Sequence, residues 1–237
     1  MNIFSRLFSL LFVPKCVGCG ERISDGVLCI RCRSMLKEAM NEPCSVCMKP
    51  HCKCVCAVST LKIAGARRHV KLFSYLPSRV TSVENKIIYT IKKHHYTALF
   101  QYLTDALSAS VKPHLVKGGW AVTYMPRSTA SVSKYGFDQS KILAQGLAKK
   151  LDIPFVSAFS RKGNQKQKAL NRAERKENAE AAYALKRKFS SDHTRFLLVD
   201  DICTSGSTLA RGVSLLKGNG AKTVLPVTLG ATVYQEK

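Results

Sequence analysis

The sequence predicts an α/β protein, a doubly wound and mostly parallel sheet, with a small cysteine-rich module ahead of it. Three observations lead there. Nine of the ten cysteines fall between Cys16 and Cys56. From about residue 66 onward, short apolar runs alternate with amphipathic helical stretches, the pattern of βαβ units. One of those runs, Arg195–Val199 (RFLLV), is apolar after its first residue and is followed by two aspartates, as befits a parallel strand buried on both faces. The expected division is therefore a module over 1–60 and the α/β domain over 66–237. A chain of 237 residues that is 46% hydrophobic can bury one core of ordinary size plus an appendage. At 22% charged residues it is not disordered wholesale.

The elements follow in order. Val70–Leu76 (VKLFSYL) reads as a strand, Val83–Lys93 as a helix and Tyr96–Ser110 as a second one. Trp120–Met125 (WAVTYM) is a short strand stopped by Pro126. Phe137–Leu151 is an amphipathic helix with Leu143, Leu147 and Leu151 four apart on one face. Pro154–Phe159 is expected as a strand. The stretch 161–188 is polar, with ten Lys or Arg and three Glu. After Arg195–Val199 come a helix over Thr208–Lys217 and a final strand over Thr223–Leu229. Near the start, Ile3–Phe12 is read as a short amphipathic helix that docks on the protein, with weak membrane-surface contact as the minority alternative.

The cysteine segment, 14–56, is poor in apolar periodicity and needs a staple. Cys16-x2-Cys19 and Cys29-x2-Cys32 each present two thiolates to one metal ion, and together they complete a tetrahedron. Cys44-x2-Cys47 opens a second set. Two of the three cysteines that follow would close it: Cys56 with Cys54, or with Cys52 in its place. Structural Zn²⁺ is the expected occupant of both sets, holding the segment folded. Arg6 breaks the first apolar run, no basic region or small-residue cleavage site surrounds it, and no apolar stretch reaches the roughly 18–20 residues of a transmembrane span. A cytoplasmic location with reduced thiols is expected.

Lys and Arg number 38 against 15 Asp and Glu, a formal charge of +23. Such an excess points to a polyanionic partner: nucleic acid, a phosphorylated metabolite or an anionic membrane surface. A solvated basic face without a partner is the competing reading.

The most informative run is Phe196-Leu-Leu-Val-Asp-Asp-Ile-Cys-Thr-Ser-Gly-Ser-Thr208. A buried strand delivers Asp200 and Asp201 to the carboxyl edge of the sheet, where α/β proteins bind ligands. Two adjacent carboxylates there can accept hydrogen bonds from the vicinal hydroxyls of a ribose. Thr204, Ser205, Gly206, Ser207 and Thr208 then lead into a helix. Small side chains and a helix N-terminus let backbone N–H groups cradle a phosphate. Diol acceptor beside phosphate cradle describes a ribose 5-phosphate.

This run resembles the thirteen-residue signature of type I phosphoribosyltransferases. The whole chain resembles the ComF-type competence protein family, which joins a double zinc ribbon to a phosphoribosyltransferase-like domain. The resemblance includes Tyr135-Gly-Phe-Asp-Gln139 and Gln167-x2-Leu170-x4-Arg175-x2-Asn178. The sequence departs from the family pattern at Tyr135 (arginine), Asp138 (asparagine) and Ser205 (threonine).

The resemblance implies a phosphoribosyl-diphosphate ligand, bound with Mg²⁺, with Arg127 on the loop after WAVTYM and neighbouring Lys134 on the diphosphate. It also implies a role in DNA uptake and natural transformation, with single-stranded DNA and other DNA-uptake proteins as partners. The alternatives are an active phosphoribosyltransferase acting on a base or amine, and a non-catalytic sensor of phosphoribosyl diphosphate. No general base stands out, so no catalytic residue is named.

Overall fold

The computed structural model describes residues 13–161, 182–187, 189 and 192–232. The helix expected over Ile3–Phe12 and the Gln167…Asn178 pattern lie outside them, as does most of the basic stretch 161–188.

In chain order the elements are α1 (Ile30–Asn41), α2 (Ser59–Ile63), β1 (Val70–Ser74), α3 (Val83–Lys93), α4 (Thr97–Val111), β2 (Trp120–Tyr124), α5 (Thr129–Tyr135), α6 (Gln139–Leu151), β3 (Phe159–Arg161), β4 (Tyr183–Leu185), β5 (Arg195–Val199), β6 (Ile202–Cys203), α7 (Ser207–Gly218) and β7 (Thr223–Ala231). The main sheet runs β1-β7-β5-β2 with all three pairings parallel. β6 adds a short parallel pairing to the end of β7.

The sheet is covered on both faces, which is why its strands read as unbroken apolar runs. Successive side chains of β5 alternate between two cores. Leu197 and Val199 pack with Val122, Val227, Leu103, Leu143 and Ile87, on the side of α3, α4 and α6. Phe196 and Leu198 pack with Ala121, Val213, Leu216 and Leu61, on the side of α7 and α2. Leu197 and Leu198 are both fully buried, and burying a leucine of this kind stabilises by about 1.5–3 kcal/mol. The cysteine module joins the first core through Val27, Leu28 and Leu36.

Local caps fix the helices that approach the carboxyl edge of the sheet. Ser82 caps α3, its hydroxyl accepting from Asn85 N, and Lys92 and Lys93 sit in the last turn, where the helix dipole favours cations. Asp138 caps α6 by accepting from Lys141 N.

Two sequence expectations need correction. Pro154–Phe159 is not a continuous strand. It touches the sheet through one parallel bridge, Phe155 to Val122, with Val122 N donating to Pro154 O and Val156 N to Val122 O. The chain then turns into β3, which pairs antiparallel with β4 as a separate ribbon. Pro154 has no N–H to donate and sits at the sheet edge. The cysteine segment also contains a true helix, α1, which buries Cys32, Leu36 and Ala39 at spacings of four and three. The short helices α2 and α5 are likewise additions to the expected order.

Candidate functional site

The cysteines form two groups. In each, four sulfurs lie within 4.8 Å of one another: Cys16, Cys19, Cys29 and Cys32, then Cys44, Cys47, Cys54 and Cys56. Cys52, the alternative to Cys54, belongs to the 3₁₀ turn His51–Lys53 and stays outside the second group. Local backbone builds the first group. Cys29 is the N-cap of α1 and accepts from Cys32 N, while Cys29 N donates to Cys16 Sγ at 3.2 Å. In the second, Cys56 N donates to Cys54 Sγ at 3.3 Å. Lys71, 3% exposed on β1, reaches out of the sheet to donate to Cys54 Sγ at 3.3 Å and to Cys56 O at 3.1 Å.

The thiols carry the mark of a site that wants a cation. Burial works to raise Cys16, yet backbone N–H groups of Cys29, Cys19 and Gly18 bring it down to about 6. Burial, followed by the neighbouring Cys47 and Cys54 sulfurs, pushes Cys56 up to about 12. Four sulfurs this close cannot all ionise unless a cation balances them. An all-sulfur tetrahedral set of this size is the donor chemistry of structural zinc, and both groups could hold it.

The carboxyl edge of the sheet opens on a cavity of about 610 Å³. Asp200, Asp201, Thr204, Thr208 and Arg127 line it, together with Lys92, Gln139, Ser140, Tyr75, Arg161 and Tyr183. The acidic pair is held from every side. Asp200 Oδ1 accepts from Ser140 Oγ and from Asp201 N, each at 2.9 Å. Asp201 Oδ1 accepts from Ile202 N at 2.7 Å, and its Oδ2 from Gln139 Nε2 at 2.9 Å. Lys92 Nζ lies 3.5 Å from that same Oδ2. Burial first, and the Asp201 charge second, hold Asp200 well above the usual carboxylate range.

The loop after the pair turns through Gly206 at φ +79°, which is also the N-cap of α7. Two conditions require glycine here. The angle is costly for any residue with a Cβ, and a Cβ would lie 2.9 Å from Val58 Cγ2. Ser205 and Ser207 hydroxyls face each other at 3.0 Å. Arg127 is anchored by Nη2 to Lys92 O at 2.9 Å, and its guanidinium lies 4.6 Å from the centre of the Tyr135 ring. Asp138 Oδ2 accepts from Arg127 N at 2.7 Å, tying the loop to the start of α6.

Two buried atoms in this lining have no protein partner among the described residues: Arg127 Nη1, a donor, and Gln139 Oε1, an acceptor. A cationic donor and an amide acceptor beside the acidic pair suit a ligand carrying both phosphate and hydroxyl or metal chemistry.

Of the expected residues, Asp200, Asp201, Thr204, Thr208 and Arg127 line the cavity, whereas Ser205, Gly206 and Ser207 belong to the loop between Thr204 and Thr208 without lining it. Lys134 is exposed, lies 5.3 Å from the Tyr135 ring centre and does not line the cavity either. Lys92, Ser140 and Tyr75 are additions. Gln139 and Ser140 follow directly on the Gly-Phe-Asp motif noted in the sequence. Lys92 carries no motif of its own.

Residues 132–232 match the model of the phosphoribosyl transferase domain family. Over 212 residues the chain is 26% identical to Competence protein F of Haemophilus influenzae, covering 88% of this chain and 86% of that one. Among solved structures it is similar, in part, to an allosteric regulatory enzyme of purine biosynthesis (17% identity, TM-score 0.39, 60% of this chain and 30% of that one). It is similar also to a purine phosphoribosyltransferase from Pyrococcus horikoshii (14% identity, TM-score 0.36, 62% and 99%). With two four-cysteine groups ahead of a match to the phosphoribosyl transferase domain family, and a likeness to Competence protein F over 88% of its length, the chain resembles the ComF-type proteins.

Proposed function

We propose that this chain binds phosphoribosyl diphosphate at the carboxyl edge of its sheet and acts in DNA uptake, with two structural zinc ions holding its N-terminal module. The observation that carries the ligand is the meeting of an acidic pair and a glycine-turned hydroxyl loop on one cavity. Asp200 and Asp201 accept the vicinal ribose hydroxyls. Backbone N–H groups of Thr204–Thr208, at the N-terminus of α7, take the 5′-phosphate together with the loop hydroxyls. Arg127 offers the free Nη1 to diphosphate oxygens, and Lys134 stands nearby on α5. Mg²⁺, when bound, would supply charge neutralisation between the diphosphate and the ribose hydroxyls. Asp200, Asp201 and Gln139 Oε1, which has no partner among the described residues, are the oxygen donors that suit it.

The test is a calorimetric titration of Asp201→Asn. Replacing one charged acceptor costs about 1.5–3 kcal/mol, so affinity for phosphoribosyl diphosphate falls about 10- to 100-fold. Unchanged affinity would remove the acidic pair from the site.

The role in DNA uptake rests on the charge of +23 and on the likeness to Competence protein F. Single-stranded DNA is the proposed polyanion, and other DNA-uptake proteins the proposed companions, in the cytoplasm. Retention of single-stranded DNA on a filter should be strong at low salt and fall steeply as salt rises. No retention at low salt would remove the charge argument.

The phosphoribosyl transferase domain match favours a second reading, transfer of phosphoribosyl to a base or amine. Release of diphosphate on addition of an acceptor would select it over binding alone. No helix among the described residues is long and apolar enough to cross a membrane.

A further inference from the structure

We propose that Lys92, at the end of α3, is a ligand-binding residue that exchanges partners: it balances Asp201 in the protein alone and turns to the diphosphate of the ligand when hydroxyls occupy the acidic pair. This deepens the reading of the pocket given above and rests on it.

Three cations line the cavity, and they are held differently. Arg127 is tied to a backbone carbonyl and lies against Tyr135. Arg161 lies 5.2 Å from the centre of the Tyr183 ring on the β3–β4 ribbon. Among the described residues, Lys92 alone forms an ion pair with the acidic pair.

That pair is built to be given up. Asp201 Oδ2 already has a shorter bond from Gln139 Nε2, 2.9 Å against 3.5 Å for Lys92 Nζ. Asp201 Oδ1 is fixed by Ile202 N. The carboxylate therefore keeps its place without the lysine. The side-chain exposures say the same: 39% for Lys92 and 11% for Asp201. One partner can move and the other cannot.

The backbone of Lys92, in contrast, is pinned. Its carbonyl accepts from Arg127 Nη2, so the last turn of α3 is fastened to the loop proposed to take the diphosphate. Nζ can travel from Asp201 toward that loop by rotating its own four-carbon stem, with no helix movement. Electrostatics supplies the reason for the exchange. A diphosphate brought up to the acidic pair meets the carboxylate of Asp201 and is repelled unless cations intervene. When the ribose hydroxyls donate to the aspartates, the lysine is freed at the point where the new negative charge arrives.

The experiment uses the full-length, zinc-loaded chain and two probes, phosphoribosyl diphosphate and ribose 5-phosphate, titrated with Mg²⁺ present. They share the ribose and the 5′-phosphate, and only the first has the diphosphate. Lys92→Met should lose about tenfold or more in affinity for phosphoribosyl diphosphate. Its affinity for ribose 5-phosphate should stay within about twofold of the wild type. Lys92→Arg should recover most of the loss. An equal fall for both probes would make Lys92 a support of Asp201 only, and no change for either would make it a bystander. Both results overturn the inference while leaving the pocket standing. A wild-type chain that binds neither probe would overturn the pocket itself.

Discussion

Acidic groups crowd together in two kinds of place among the described residues, the cysteine groups and the aspartate pair, and the surroundings treat them in opposite ways. Each cysteine group is closed. Two of its four cysteines are buried, and among the described residues the side-chain cation that donates to the second group is Lys71, itself sealed in the sheet. The acidic pair is open. It borders a cavity of about 610 Å³, and its cation, Lys92, stands on a partly exposed stem. A closed set suits a resident ion that serves folding, whereas an open set suits a ligand that comes and goes. The two cysteine groups differ in turn. The first lies beside an exposed ion pair, Glu21 with Arg31, and the second is fastened to β1 through Lys71.

The largest expected effect breaks this comparison directly. Cys44→Ser and Cys19→Ser should each release one zinc and lower the melting temperature of the whole chain, because the first group packs into the core through Cys16 and Cys32 and the second is held to β1 through Lys71. Metal content and calorimetric melting measured together decide it, and a lost metal with an unchanged melting temperature would deny that the closed sets serve folding. Structural zinc contributes on the order of 10 kcal/mol in small zinc modules, so the effect is easily seen.

Lys71→Met sharpens the same point more gently. Losing a partner that touches a ligand sulfur typically weakens metal binding about 10- to 100-fold. Competition with a chromogenic chelator should show one of the two zinc ions leaving earlier than in the wild type. Simultaneous release of both, as in the wild type, would show that Lys71 does not serve the second group.

A further effect, a pH dependence, concerns the open site. Burial, then the charge of Asp201, raises Asp200 to about 8 in the folded chain. Between the ordinary carboxylate value and that figure, the folded state keeps a proton that the unfolded state has released. Stability therefore falls as pH rises through this window. Asp200→Asn removes the slope, so in Mg²⁺-free buffer its advantage in melting temperature should grow from about pH 5 to about pH 8.5. A constant difference across that range would deny the raised value.

Much of this could be read in the sequence, for definite reasons. Arg195–Val199 is buried on both faces, so its composition alone announced a central parallel strand. Residues 200–208 are contiguous, so the acidic pair and its loop could be seen as one unit before their geometry was known. Contacts distant in sequence were not legible. Lys92 stands 109 positions before Asp201. At the end of an amphipathic helix it looks like any cation placed there by the helix dipole. Only the folding of α3 against the sheet makes it part of the pocket. The choice between Cys52 and Cys54 was equally closed to spacing. It is decided by the turn over His51–Lys53, which leaves Cys54 and Cys56 to complete the group. Helix α1 was hidden because its three buried positions include a cysteine already accounted for as a ligand.

The central claim is that the open edge of the sheet receives a phosphoribosyl diphosphate. Titration of the zinc-loaded chain with that compound in a calorimeter, with and without Mg²⁺, tests it most directly. The account predicts saturable binding that tightens when Mg²⁺ is present. No heat at any concentration in either buffer would contradict it, and would leave the acidic pair and its loop as scaffold.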